Sequence, residues 1–294
     1  NISEEISKNK FKIKAYLGSA TDSKKIEEIF KVEKVDIVFH AAAYKHVPIV
    51  ESNAIEGIKN NVFSTWNLCK NAEKSSIKQL VLISTDKAVR PVNVMGASKR
   101  IAELIVQAFA KKSNNTCFSM VRFGNVLASS GSVVPLFKKQ INEGGPITLT
   151  HEKVTRFFMT ISEASQLVLQ ASSLAKGGDV FLLNMGQKVY IKDLAEKMIN
   201  LSGLKVKNEN TPDGDIEIIT TGLRPGEKLY EELLIDGKSL KTEHPLIFRA
   251  KENLIIFEEL EPLILKLEKI VEDQDYINAI KLINNIIPEY RPTL

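Results

Sequence analysis

Cysteine is scarce in this 294-residue chain: Cys69 and Cys117 are the only two, both in apolar stretches and without C-x-x-C spacing. That excludes a disulfide framework and a cysteine-built metal centre, and it suits a reducing compartment. Long apolar runs are missing too. No stretch reaches the roughly 18 residues of a membrane-spanning helix. Charge of either sign is not in excess, since 40 basic and 36 acidic residues leave a net +4, too little to argue for nucleic acid but compatible with a small anionic substrate. There is no internal repeat, no low-complexity tract and no G-x-G-x-x-G turn.

What remains is an alternation of short apolar runs and amphipathic stretches, with 44% hydrophobic and 26% charged residues, the composition of an ordinary globular protein. Residues 79–84 (QLVLIS) are almost continuously apolar, as in a parallel strand buried on both faces. The run stops at a polar tetrad, Ser84, Thr85, Asp86 and Lys87. Ligands of open α/β sheets collect beyond the carboxyl ends of strands, so the tetrad is where chemistry is expected. Lys99 follows in the segment MGASK, which opens a helical pattern running to residue 112. Adjacent Asp86 and Lys87 offer a proton donor and a proton acceptor, and Lys99 a second cation. Taken singly, each reads equally well as a turn residue or a solvated charge.

Residues 1–10 read as the tail of a helix, and 11–17 as a strand with alternating Phe11, Ile13, Ala15 and Leu17. Residues 35–40 form the next strand, ending in Ala41, Ala42 and Ala43, small enough for a flat ligand to lie against the backbone. Residues 116–122 and 178–184 read as further buried strands, the second being the last expected in the sheet. Helices are predicted over 23–32, with Asp22 as its cap, and over 51–75, 162–173, 191–202 and 255–288. His40 reads as a packed core histidine. Gly124, Gly131 and the serines between them make a loop whose amides can approach a diphosphate. Arg224 and Glu227, in a turn stiffened by Pro225, suit a pyrophosphate and ribose hydroxyls respectively.

The tetrad followed by MGASK resembles the extended short-chain dehydrogenase/reductase family, and within it the UDP-N-acetylglucosamine 4,6-dehydratases of bacterial polysaccharide and glycan synthesis. The likeness also rests on HAAAYKHVP at 40–48, RFGNVL at 122–127, RFFM at 156–159 and GLRPGEKLY at 222–230. It spans nearly the whole chain, with one main departure. Met95 stands where the family at large has the tyrosine of Tyr-x-x-x-Lys, a form similar to the long, membrane-anchored branch.

The resemblance implies an α/β fold with a Rossmann-type doubly wound parallel sheet. It implies an NAD-binding domain over 1–127 and 154–185, incomplete at its N-terminus, and a smaller UDP-sugar domain over 128–153 and 186–294. NAD is the implied cofactor, UDP-N-acetylglucosamine the implied partner, with no nucleic acid and no metal. A homo-oligomer, on the cytoplasmic side of a membrane anchor lying upstream, is implied as well. Asp22, Ala41, Ala42, Ala43, Lys45, Asn61, Ser84 and Lys99 would meet the cofactor; for Asp22, helix capping is an equal reading. His46, Asn125, Arg156, Arg224 and Glu227 would meet the substrate.

The absent Gly-rich turn has a topological reading. In the strand order 3-2-1-4-5-6, residues 11–17 as strand three and 35–40 as strand four leave their two intervening partners out of the chain. The expectation is a natural protein longer at its N-terminus, carrying those strands and the turn between them.

By resemblance, hydride leaves sugar C4, water is lost across C5 and C6, and hydride returns to C6. Lys87 would take the C5 proton and Asp86 would protonate the departing hydroxyl, which requires a neutral lysine and a protonated aspartate. Met95 cannot ionise, so Thr85, a bound water or Lys99 must relay the O4 proton. A 4-epimerase and a catalytically lost nucleotide-binding module remain the alternatives.

Overall fold

The computed structural model describes residues 12–234 and 239–292. Phe11 and the helix tail expected over residues 1–10 lie outside the described residues. Four parallel strands form the centre: β1 (Ile37–His40), β2 (Gln79–Thr85), β3 (Cys117–Phe123) and β4 (Asp179–Leu183). Two shorter strands, β5 (Ser239–Lys241) and β6 (Ile247–Ala250), complete a sheet of order β1-β2-β3-β4-β6-β5, with β6 antiparallel to both of its neighbours. The α/β class with a parallel core is the one expected from the sequence.

The near-continuous apolar run of β2 exists because both faces of the sheet are covered. Leu80 and Leu82 point into one layer, with Phe118, Met120, Val180 and Leu182 from the neighbouring strands. Val81 points into the other, with Val121, Phe181 and Leu183. The first layer is roofed by α2 (Ser64–Lys74) and α3 (Val94–Lys112), the second by α4 (Ile161–Ser173); α1 (Ser23–Glu33) lies outside, against α2. Trp66 sits among aromatic rings, stacked on Phe257 at 5.8 Å and edge-on to Phe109 at 5.3 Å. Each such buried side chain contributes roughly 1.5–3 kcal/mol. A separate core of Phe137, Ile141, Ile147, Leu149, Ile191, Ile199 and Ile216 holds a small parallel sheet built from Ile147–Leu149, Ile216–Thr220 and Val206–Lys207.

Two expectations are corrected. Residues 12–17 form no strand. A strand needs a partner for its amides and carbonyls. Here Lys14 and Tyr16 are tied instead to Glu33 at the end of α1, Lys14 at 2.7 Å. Second, β4 is not the last strand, because β6 pairs along its free edge. The C-terminal helices α5 (Phe257–Glu272) and α6 (Tyr276–Ile286) bury Leu260, Ile264, Leu267, Leu282 and Ile283 with the α2 and α3 side chains. Helical periodicity shows that a face is apolar, not which surface it covers.

Candidate active site

A cleft of about 340 Å³ opens beyond the carboxyl ends of β1, β2 and β3. Its floor is built by one tight junction. Thr85 ends β2 in extended backbone, and its Oγ1 accepts the Lys87 N–H at 3.3 Å, starting a single 3-10 turn over Asp86–Ala88. The carbonyl of Lys87 then meets the first turn of α3. A Cβ at Gly96 would stand 2.2 Å from that oxygen, so only glycine lets the helix start there. Asn93 caps the helix, its Oδ1 accepting the Gly96 N–H at 2.7 Å. Strand end and helix start are thereby locked together, and Met95 and Lys99 face the same cleft as Thr85 and Lys87.

At Lys87, on the cleft wall, the charges converge. Lys87 Nζ donates to Asp86 Oδ1 at 3.0 Å and to Asn125 Oδ1 at 3.3 Å, and stands 3.8 Å from Glu231 Oε1. Thr85 Oγ1 donates to the same Asp86 oxygen at 2.9 Å. Asp86 is fully buried beneath Lys87, and its Oδ2 has no hydrogen-bond partner among the described residues. Gly124 borders that oxygen, and a Cβ at 124 would lie 3.0 Å from Oδ2. Burial works against the Lys87 charge, but the Asp86 and Glu231 carboxylates outweigh it and hold the amine above its ordinary value. This opposes the neutral lysine that the base role needs. Lys99, 5% exposed, donates to the Ile83 carbonyl at 2.8 Å, and burial pulls its amine down to about 8 against the opposing charge of Glu103.

Of the other expected residues, Ala41, Ala43, Lys45, His46, Ser84 and Asn125 line the cleft, and Ala42 does not. The Ser84 hydroxyl is already committed, donating to Glu103 Oε1 at 2.6 Å. Asn61, in one turn of π-helix, acts on the loop after β1: its Oδ1 accepts the Tyr44 N–H at 2.7 Å, and its Nδ2 donates to the Tyr44 carbonyl at 3.0 Å and to Ser98 Oγ at 2.9 Å. The mouth is narrowed where Lys45 donates to Ser129 at 3.5 Å and Gly131 closes on the His46 ring. Asp22 caps α1 through the Lys25 N–H at 3.0 Å. His40 is a packed histidine, 3.0 Å from Thr65 Oγ1 and pushed down to about 3 by burial and by the Lys99 charge. Arg156 is buried and donates to Glu227 Oε1 at 3.2 Å, an oxygen that also accepts from Thr150 at 2.9 Å, while Arg224 is exposed. None of Arg156, Arg224 and Glu227 lines the cleft.

Two participants escaped the sequence reading. Glu231, 4% exposed, stands one residue beyond the GLRPGEKLY motif, in a run of acidic residues that reads as surface. Glu103 lies one helical turn after Lys99 and is fully buried. It is the hub of an ion network, bonded to Arg122 at 2.7 Å and Arg100 at 3.1 Å, with Glu252 closing on both arginines. Its helical spacing from Lys99 was the available signal.

The family model described as "Polysaccharide biosynthesis protein" matches residues 1–252. The capsular polysaccharide biosynthesis protein CapD of Staphylococcus aureus is 50% identical over 237 residues, covering 80% of this chain and 38% of CapD, so the chain spans about two fifths of that relative's length. A UDP-glucose 4-epimerase of Rickettsia canadensis is 38% identical over 79% of this chain and 65% of its own. Among solved structures, Pen from Bacillus thuringiensis aligns with a TM-score of 0.75 at 35% identity, over 90% of this chain and 85% of Pen. The chain belongs to the polysaccharide biosynthesis protein family and has the Rossmann-like parallel sheet of the extended short-chain dehydrogenase/reductases.

Proposed function

We propose that the whole protein is an NAD-dependent UDP-N-acetylglucosamine 4,6-dehydratase that makes a 4-keto-6-deoxy sugar nucleotide for polysaccharide or glycan synthesis. The reading is carried by one observation: Lys87, Asn125 and Lys99 line a single cleft beyond the central strands, and the buried Asp86 carboxylate bonds Lys87 from beneath that lining. A 4-epimerization moves only the C4 hydride and the O4 proton, whereas elimination across C5 and C6 needs a further proton acceptor at C5 and a proton donor at C6.

The cleft residues fit the nicotinamide end of the cofactor. Small Ala41 and Ala43 line one wall, and the buried Lys99 amine borders the opening, where it can grip ribose hydroxyls. When bound there, NAD supplies the hydride acceptor at C4 and the donor at C6. The chain's own residues move the protons. The Thr85 hydroxyl, bonded to Asp86, offers a path by which the O4 proton reaches the carboxylate and loads the acid. Lys87, once neutral, takes the proton from C5, which is acidified by the carbonyl at C4. Asp86 then protonates the C6 hydroxyl as it leaves. The Lys87 ammonium then returns its proton to C5 as C6 is reduced, which leaves the neutral base and the ionised Asp86 with which the cycle began. Met95, 3% exposed, fills the tyrosine's place without ionising. The substrate-side roles of His46, Arg156, Arg224 and Glu227, and the division into cofactor-binding and sugar-binding parts, belong to this same proposal.

Epimerization is the second reading, favoured by the Rickettsia relative. NMR of the sugar formed from UDP-N-acetylglucosamine and NAD separates the two: a C6 methyl signal beside a C4 carbonyl supports dehydration, an axial C4 hydroxyl supports epimerization, and unaltered substrate refutes both.

A further inference from the structure

Lys87 faces two buried carboxylates, and the dehydration proposed above uses only one of them. Asp86 belongs to the same turn as Lys87. Glu231 comes from a loop far along the chain, and nothing local to Lys87 requires a second anion there. That loop is fixed in place. Lys228 donates to the Val89 carbonyl at 2.9 Å, and Asn93 donates to the Gly226 carbonyl at 2.8 Å, so the segment before Glu231 is held against the turn and the cap of α3. Glu231 is almost wholly buried, with Oε1 3.8 Å from Lys87 Nζ and Oε2 without a hydrogen-bond partner among the described residues. A carboxylate held so deep without full hydrogen bonding is costly unless its charge is used.

We propose that Glu231 is a positioning residue acting through Lys87: as the second carboxylate facing the ammonium group, it sets how readily Lys87 gives up the proton it must lose before serving as a base. The inference rests on Lys87 being the base of the proposed reaction. The groups facing the pair are Asp86, Asn125 and Arg156 around Lys87, and Asp86, Arg156 and Lys228 around Glu231. Of these, only the two carboxylates favour the charged lysine, while Arg156 opposes it. Burial and the neighbouring Asp86 charge push the Glu231 carboxyl up, with Lys87, Arg156 and Lys228 pulling the other way. The Glu231 charge favours the protonated Lys87. Removing its charge lowers the proton affinity of Lys87, since one of two favourable charges is lost while burial remains.

Competitive trace acetylation with acetic anhydride, read by mass spectrometry of the Lys87 peptide across alkaline pH, measures the neutral amine without substrate or cofactor. At a fixed pH below the midpoint, Glu231→Gln should be acetylated at Lys87 at least about tenfold faster than wild type, which corresponds to a midpoint about one pH unit lower. Glu231→Asp, which keeps the charge, should stay close to wild type. An unchanged Lys87 midpoint in folded Glu231→Gln overturns the proposal. Should that variant fail to fold, wild-type protein decides: the Lys87 midpoint must lie higher in the native state than in urea, and a lower native midpoint overturns the proposal. Because the measurement needs no turnover, absence of dehydratase activity refutes the reaction and leaves the Glu231–Lys87 coupling to stand or fall separately.

Discussion

Replacing Glu103 by glutamine tests whether the ion network beneath the cleft is a support of both fold and site. Glu103 is fully buried, its Oε2 shared by Arg122 at 2.7 Å and Arg100 at 3.1 Å, and its Oε1 accepting from Arg122 Nε at 2.9 Å and from Ser84 at 2.6 Å. Burial alone would push the carboxyl up, but the two guanidinium groups and the Ser84 hydroxyl outweigh it and hold Glu103 at about 2. Glutamine keeps the shape and removes the charge, leaving two buried cations short of a partner. Breaking such a pair costs about 3–5 kcal/mol. Glu252 still grips Arg122 at 2.6 and 3.0 Å, so the loss should fall near the lower end, about 3 kcal/mol. The pH dependence gives an independent figure. A carboxyl at about 2 in the fold and at the ordinary 4.5 when unfolded contributes stability that is complete above pH 4.5 and disappears as pH falls toward 2. At 1.36 kcal/mol per pH unit that is again about 3 kcal/mol. The assay is urea unfolding followed through the single tryptophan, Trp66, which is buried against Phe257 and Phe109. At neutral pH Glu103→Gln should lose about 3 kcal/mol, and its deficit should shrink as both proteins are acidified through that window. A loss under about 1 kcal/mol at neutral pH would refute the argument, because it would mean that the network is solvated and its charges uncoupled.

Gly96→Ala should destabilise the protein by about 1–3 kcal/mol and depress turnover more than stability, since the added carbon meets the Lys87 carbonyl rather than a yielding side chain; thermal melts and product assays measure both. Asp86→Asn should abolish water loss and, because the O4 proton reaches the same carboxylate through Thr85, should also slow hydride exchange at C4 read with C4-deuterated substrate; wild-type turnover by this variant would eliminate the acid role. Lys99 carries its charge below about pH 8 and loses it above, so NAD retention measured by equilibrium dialysis should weaken as pH rises through 8, and Lys99→Arg should flatten that dependence.

What the sequence determined is what neighbours in the chain can decide. The apolar run before Ser84 dictates a buried strand because every second side chain meets a different layer and both layers are dry. The step to Thr85, Asp86 and Lys87 marks where that strand leaves the sheet, and the spacing after Met95 dictates the helix that carries Lys99 back to the same opening. Tertiary structure decided the rest, because it rests on contacts between segments far apart in sequence. Residues 12–17 have strand-like alternation but no ladder, so their pattern alone could not make them a strand. Ser84 looked available to a ligand until Glu103, brought over on α3, took its hydroxyl. The charge state of Lys87 could not be read from its neighbours either: Asp86 is adjacent, but burial and Glu231, delivered by a distant loop, act on it only once the chain is folded. Local pattern specifies which groups stand at a strand end. Burial and long-range charge specify which of them hold protons.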